Sequence, residues 1–151
     1  MSTERVLVHK NVAKEFIIAF KKSVNEIYGP LGPPHVLASS LGVLRNRCLI
    51  SEAVEKGATV ILGNAMAKES SDTRLRPIVL GNVKKNMDLY YDESFGPIVS
   101  LFVFDSEDEA VELANDSEYG LVGAVFTENL ATGLRIAHQY EAGWVTLISP
   151  C

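Results

Sequence analysis

At 151 residues, with 47% hydrophobic and 22% charged residues, the chain has the size and composition of one globular domain. Its 14 basic and 19 acidic residues are interspersed and sum to a net charge of -5, which excludes the basic footprint required by nucleic acid or an anionic lipid surface. Two cysteines, Cys48 and Cys151, form neither a disulfide framework nor a metal cluster, so a reducing cytoplasm is the expected location.

The residues from Met1 to Arg5 lack the basic region and apolar stretch of a secretory signal, and Val6 to His9 reads as a short strand. Asn11 is placed to cap a helix whose Val12, Phe16, Ile17, Phe20, Val24 and Ile27 recur at helical spacing. The GPLGPP run from Gly29 to Pro34 stops that helix, because proline lacks an amide donor, and predicts a loop to about Ser40. A second helix is expected from Leu44 to Lys56, closed by Gly57 and followed by a strand from Ala58 to Leu62. Arg76 to Leu80 and Ile98 to Phe104 read as buried strands, and Glu107 to Asn115 as a helix with an acidic start. Gly123 to Phe126 (strand), Asn129 to Tyr140 (helix) and Gly143 to Ile148 (strand) complete the chain.

Helix and strand alternating over short connections predict an α/β fold, since parallel neighbours need crossover segments. The expected architecture is a three-layer α/β/α open, mainly parallel sheet forming a single domain over 1–151. No apolar run reaches the ~20 residues that span a bilayer. In such sheets ligands gather beyond the carboxyl ends of the strands.

Neither a Gly-rich phosphate loop nor metal-ligand spacing is present: His9, His35 and His138 are far apart and lack acidic or cysteine neighbours. No metal and no cofactor are therefore expected for the chain on its own. The segment Tyr90-Tyr91-Asp92-Glu93-Ser94-Phe95-Gly96-Pro97 instead gathers two carboxylates, a hydroxyl and three aromatic rings just ahead of a buried strand. Two readings stand side by side. A carboxylate beside aromatic rings gains general acid or base character by desolvation; alternatively, Asp92 and Glu93 simply solvate a turn defined by Gly96 and Pro97.

The run DESFGP, followed by EDEAVELANDSEYGLVGAVFT and EAGWVTLISP, resembles the C-terminal part of the aldehyde dehydrogenase superfamily. STERVLVH, EAVEKGATVILG and RPIVL extend the resemblance over nearly the whole chain, only Leu31 to Leu44 looking shortened. It is nearest to the branch acting on aromatic aldehydes, of the salicylaldehyde and vanillin type. The resemblance implies that the nucleophilic cysteine lies immediately before Met1, and that the catalytic glutamate and Rossmann domain also precede it. It further implies that Glu93 and Phe95 match positions facing the cofactor, the glutamate at the nicotinamide ribose and the aromatic ring beside it. Ile148 departs from the asparagine usual there, and the chain stops at Pro150 and Cys151, before the family's substrate-anchoring loop and oligomerisation strand. Cys48 and Cys151 are poor replacements for the nucleophile, one within a helix and the other at the chain end.

Three functions follow as expectations. The first is a repurposed binding protein, or a cofactor-independent isomerase or cyclase, acting on an apolar small molecule. Its catalytic groups would be Glu93, assisted by Asp92, Tyr90 and Tyr91, with Phe95 and Trp144 lining the substrate site. The second is a non-catalytic partner of a full-length relative, and the third a fragment of a conventional NAD(P)-dependent dehydrogenase. A homodimer is expected to cover apolar surface at Phe102, Phe104, Trp144 and Leu147.

Overall fold

A computed structural model describes residues 3–29, 35–64, 66–67 and 69–149, and the chain divides into two units, 1–103 and 104–151. The expectations that fall on Met1, Leu31 to Pro34, Pro150 and Cys151 lie outside the described residues.

The first unit begins with β1 (Arg5–His9), which runs directly into α1 (Lys10–Tyr28). His9, not Asn11, caps this helix: its Nδ1 accepts from the Asn11 amide at 3.3 Å. The spacing places Phe16, Ile17 and Phe20 on one stripe, and these pack with Val6, Val8, Val79, Val99 and Leu101 of the strands. Removing each such side chain from water stabilises by roughly 1.5–3 kcal/mol when burial is complete. Val12 and Ile27 are exposed, so the buried stripe is narrower than the periodicity implies. At the far end Arg76 donates to the carbonyls of Tyr28 (3.2 Å) and Gly29 (2.7 Å), a cation meeting the negative end of the helix.

β2 (His35–Val36) pairs antiparallel with β4 (Arg74–Leu75), so part of the expected loop is a two-residue ladder. α2 (Ser40–Glu55) starts earlier than its apolar pattern suggests because Ser39 caps it, accepting from the Gly42 amide at 3.2 Å. Gly57, at φ 101°, supplies the left-handed step that ends the helix and feeds β3 (Thr59–Leu62). The strand expected from Arg76 to Leu80 begins only after Pro77, as β5 (Ile78–Gly81), with β4 lying ahead of it. α3 (Asp88–Tyr91) is one helical turn that takes in Tyr90 and Tyr91 at the start of the stretch read as a turn, and β6 (Ile98–Phe104) follows.

The sheet order is β1-β6-β5-β3. β5 and β6 are parallel, as their helix-bearing crossover allows, whereas β3 and β5 are antiparallel. Among the described residues no helix connects β3 to β5, and antiparallel neighbours need none. Ile78, Leu80 and Ile98 are as buried as Val79 and Leu101, so the alternating side chains of β5 and β6 are covered on both faces.

In the second unit, α4 (Glu107–Asn115) opens at Ser106, whose Oγ accepts from the Glu109 amide, with acidic residues throughout its first turn. β7 (Gly123–Phe126) and β8 (Val145–Ile148) are parallel, joined through the crossover helix α5 (Leu130–Gln139). Asn115 fastens the end of α4 to the end of α5, donating to the Gln139 carbonyl (2.8 Å) and accepting from the Glu141 amide (3.0 Å). The fold is thus mixed α/β with a mainly parallel sheet arrangement.

Candidate functional site

The acidic and aromatic segment after α3 is held in place along most of its length. Asp92 and Glu93 are met by Arg45 of α2, which donates from Nη2 to the Asp92 carboxylate (3.1 Å) and from Nη1 to the Glu93 carbonyl (2.9 Å). Asn46, fully buried one residue later, donates from Nδ2 to the carbonyls of Ser94 and Gly42, both at 2.9 Å. Gly96 lies against that amide so closely that a Cβ would meet its Oδ1 at 2.0 Å. Glu4, just ahead of β1, accepts on Oε1 from the Ser94 hydroxyl (2.9 Å) and the Phe95 amide (3.1 Å), and on Oε2 from the Ser94 amide (3.0 Å).

Within this frame Phe95 is unusual twice over. Its φ is 48°, a left-handed conformation that costs a non-glycine residue on the order of 1–3 kcal/mol. Its ring is 78% exposed, so packing does not return that cost. Beside it, Glu93 is half-buried, and its carboxylate makes no hydrogen bond or ion pair among the described residues.

The other candidates have separate surroundings. Tyr90 is buried, edge-on to Tyr91 (4.7 Å) and Phe102 (5.7 Å), with the Arg5 guanidinium over the rings of Tyr90 and Phe102 at 4.8 and 4.9 Å. Phe102 is therefore interior, not part of the surface that self-association was expected to cover. Tyr91 and Asp92 are exposed. Trp144 belongs to the second unit, where its ring is exposed and its Nε1 donates to the Thr146 hydroxyl at 3.1 Å. Cys48 is exposed on α2. His9 caps α1, His35 stacks against Tyr28 at 4.7 Å and His138 is exposed. Among the described residues no three His, Cys, Asp or Glu side chains are grouped to hold a metal ion. No helix there is long and apolar enough to cross a membrane.

Four residues that frame the segment were given no role by the sequence: Glu4 and Arg5, which lie in the STERVLVH run, and Arg45 and Asn46. Asn46 left one signal, being polar at a position where Val43, Leu49, Ile50 and Ala53 define the buried face of α2. Glu4 left none, since its partners are 90 and 91 positions away.

The model of the aldehyde dehydrogenase family matches residues 1–150. The chain belongs to the aldehyde dehydrogenase family. It is 38% identical over 148 residues to succinate-semialdehyde dehydrogenase [NADP(+)] 2 of Schizosaccharomyces pombe, covering 93% of this chain and 30% of that protein. Against a benzaldehyde dehydrogenase of Bacillus subtilis the identity is 34% over 151 residues, with 96% and 30% covered. The crystal structure of succinic semialdehyde dehydrogenase from Streptococcus pyogenes, in complex with NADP+ as the cofactor, superposes with a TM-score of 0.87. That match is 26% identical and covers 98% of this chain and 33% of the other. The aldehyde dehydrogenase chain described here thus spans about 30% of the length of the curated relatives it matches.

Proposed function

We propose that this chain is part of an NAD(P)-dependent aldehyde dehydrogenase, and that the Asp92–Pro97 turn forms one wall of its cofactor site. The observation that carries the reading is Phe95, left-handed at φ 48° with its ring 78% exposed, next to a Glu93 carboxylate that no described residue engages. The relatives lend direction, since one is named for NADP(+) and another was crystallised with it.

The residues fit one side of a nicotinamide nucleotide. Glu93 offers a carboxylate to accept from the hydroxyls of a ribose, and Phe95 an apolar face for a flat ring to rest beside. Arg45 and Asn46 fix the backbone that carries both. When bound, the nicotinamide accepts the hydride lost by an aldehyde as it is oxidised. Glu93 and Phe95 bind and orient; no proton transfer is assigned to either. A cofactor-independent isomerase or cyclase using Tyr90 and Asp92 gains no support, Tyr90 being interior and Asp92 ion-paired with Arg45.

The test is recovery of the native protein from its source with antibodies raised against this sequence, followed by assay with a panel of aliphatic and aromatic aldehydes. Aldehyde-dependent reduction of NAD+ or NADP+ is expected. Recovered protein that reduces neither with any aldehyde in the panel overturns the reading.

A further inference from the structure

We propose that Glu4 is a positioning residue for this site, setting the geometry of Phe95 and Glu93 through the peptide groups between them; the inference rests on the functional reading above. Glu4 is fixed from one side, because its own carbonyl accepts from the Ser100 amide of β6 at 2.7 Å. Its side chain then reaches the turn. One carboxylate takes the Ser94 amide, the Ser94 hydroxyl and the Phe95 amide, at 3.0, 2.9 and 3.1 Å. Charge-assisted bonds of this kind are about twice as strong as neutral ones.

The two consecutive amides gathered onto one anion belong to the residue before the left-handed step and to the left-handed residue itself. An anion collecting successive amides is the reverse of a backbone nest binding its ligand, with the anion here built into the chain. Because the Phe95 ring is exposed, nothing in its own packing selects the left-handed conformation. Asn46 holds the Ser94 carbonyl and Arg45 the Glu93 carbonyl, but neither touches an amide of the turn. The Ser94 hydroxyl that donates to Glu4 also accepts from the Gly96 amide at 3.2 Å, across Phe95. Glu4, directly on the Ser94 and Phe95 amides and through that hydroxyl, thus opposes a return of Phe95 to an ordinary φ that would turn the ring and shift Glu93 with it.

The experiment uses Glu4→Ala and Glu4→Gln, the latter keeping one acceptor oxygen. Amide hydrogen exchange, KM for NAD(P)+ and kcat are read together in the native enzyme carrying the change. In Glu4→Ala the Ser94 and Phe95 amides are expected to exchange about tenfold faster or more, while amides of β5 and β6 keep their protection. Glu4→Gln is expected to fall between Ala and wild type, and remains readable if the alanine variant does not fold. KM for NAD(P)+ rises in the same order, with a smaller change in kcat. Unchanged exchange at Ser94 and Phe95 in a folded variant overturns the proposal, as does faster exchange with an unaltered KM. If wild-type enzyme reduces no NAD(P)+, the functional reading falls, and the exchange ratio alone decides whether Glu4 holds the turn.

Discussion

Phe95 carries a backbone cost that glycine would not, since only glycine enters the left-handed region without a Cβ penalty. Phe95→Gly removes the strain and an exposed ring, against a larger loss of chain entropy on folding, so its stability is expected within about 1 kcal/mol of wild type. Its cofactor-dependent activity is expected to fall. A thermal melt and an activity assay on one preparation check both, and a loss of several kcal/mol would mean that the ring packs more than its exposure indicates. Gly96 is the opposite case, constrained by space and not by φ. A Cβ there meets the buried Asn46 amide at 2.0 Å, so Gly96→Ala is expected to destabilise by roughly 1–3 kcal/mol, as overpacking does. Chemical denaturation measures this, and a neutral result would show that Asn46 can move aside.

At the scale of elements, the second unit offers a test by pH. Arg135 of α5 donates to the Glu107 carboxylate at the start of α4, with Nη2 to Oε2 at 2.7 Å. The hydrogen bond from Arg135 holds the Glu107 carboxyl below its ordinary value and raises Arg135 in return. A carboxylate whose pKa is depressed on folding contributes stability above its unfolded value, about 4.3, and loses it as pH falls through the folded value. Both side chains reach solvent, so the effect is small. Glu107→Gln is expected to lower Tm slightly at neutral pH, the gap to wild type closing as pH drops below about 4; a gap that persists in acid would contradict the pairing. The bounds of β6, α4 and β7 were legible to the residue, because apolar runs and the acidic start of α4 announce them. β2, β4 and α3 were not, since two residues or one turn carry no periodicity. The antiparallel pairing of β3 with β5 depends on a connection without a helix, which strand patterns do not reveal. Within the proposed site, the DESFGP run singled out Glu93 and Phe95 through its resemblance to the family. The grip of Glu4, Arg45 and Asn46 was not, because it joins positions 47 to 91 residues apart.

For the whole molecule, membership of the family rests on residues 1–150, and the share of each relative covered is about 30%. Large apolar side chains stay exposed in both units, Leu41, Leu44 and Phe95 in the first and Phe126, Leu130 and Trp144 in the second. Surface of that kind is ordinary when single and meaningful when it faces a ligand or a partner. The proposed function has the turn presenting Phe95 and Glu93 receive a nicotinamide cofactor. Its most direct test is KM for NAD(P)+ in the native enzyme, wild type against Glu93→Gln. Loss of a charged acceptor to a ribose hydroxyl predicts a rise of roughly tenfold or more, with Tm unchanged because no described residue pairs with that carboxylate. A KM equal to that of wild type would contradict a cofactor contact by Glu93.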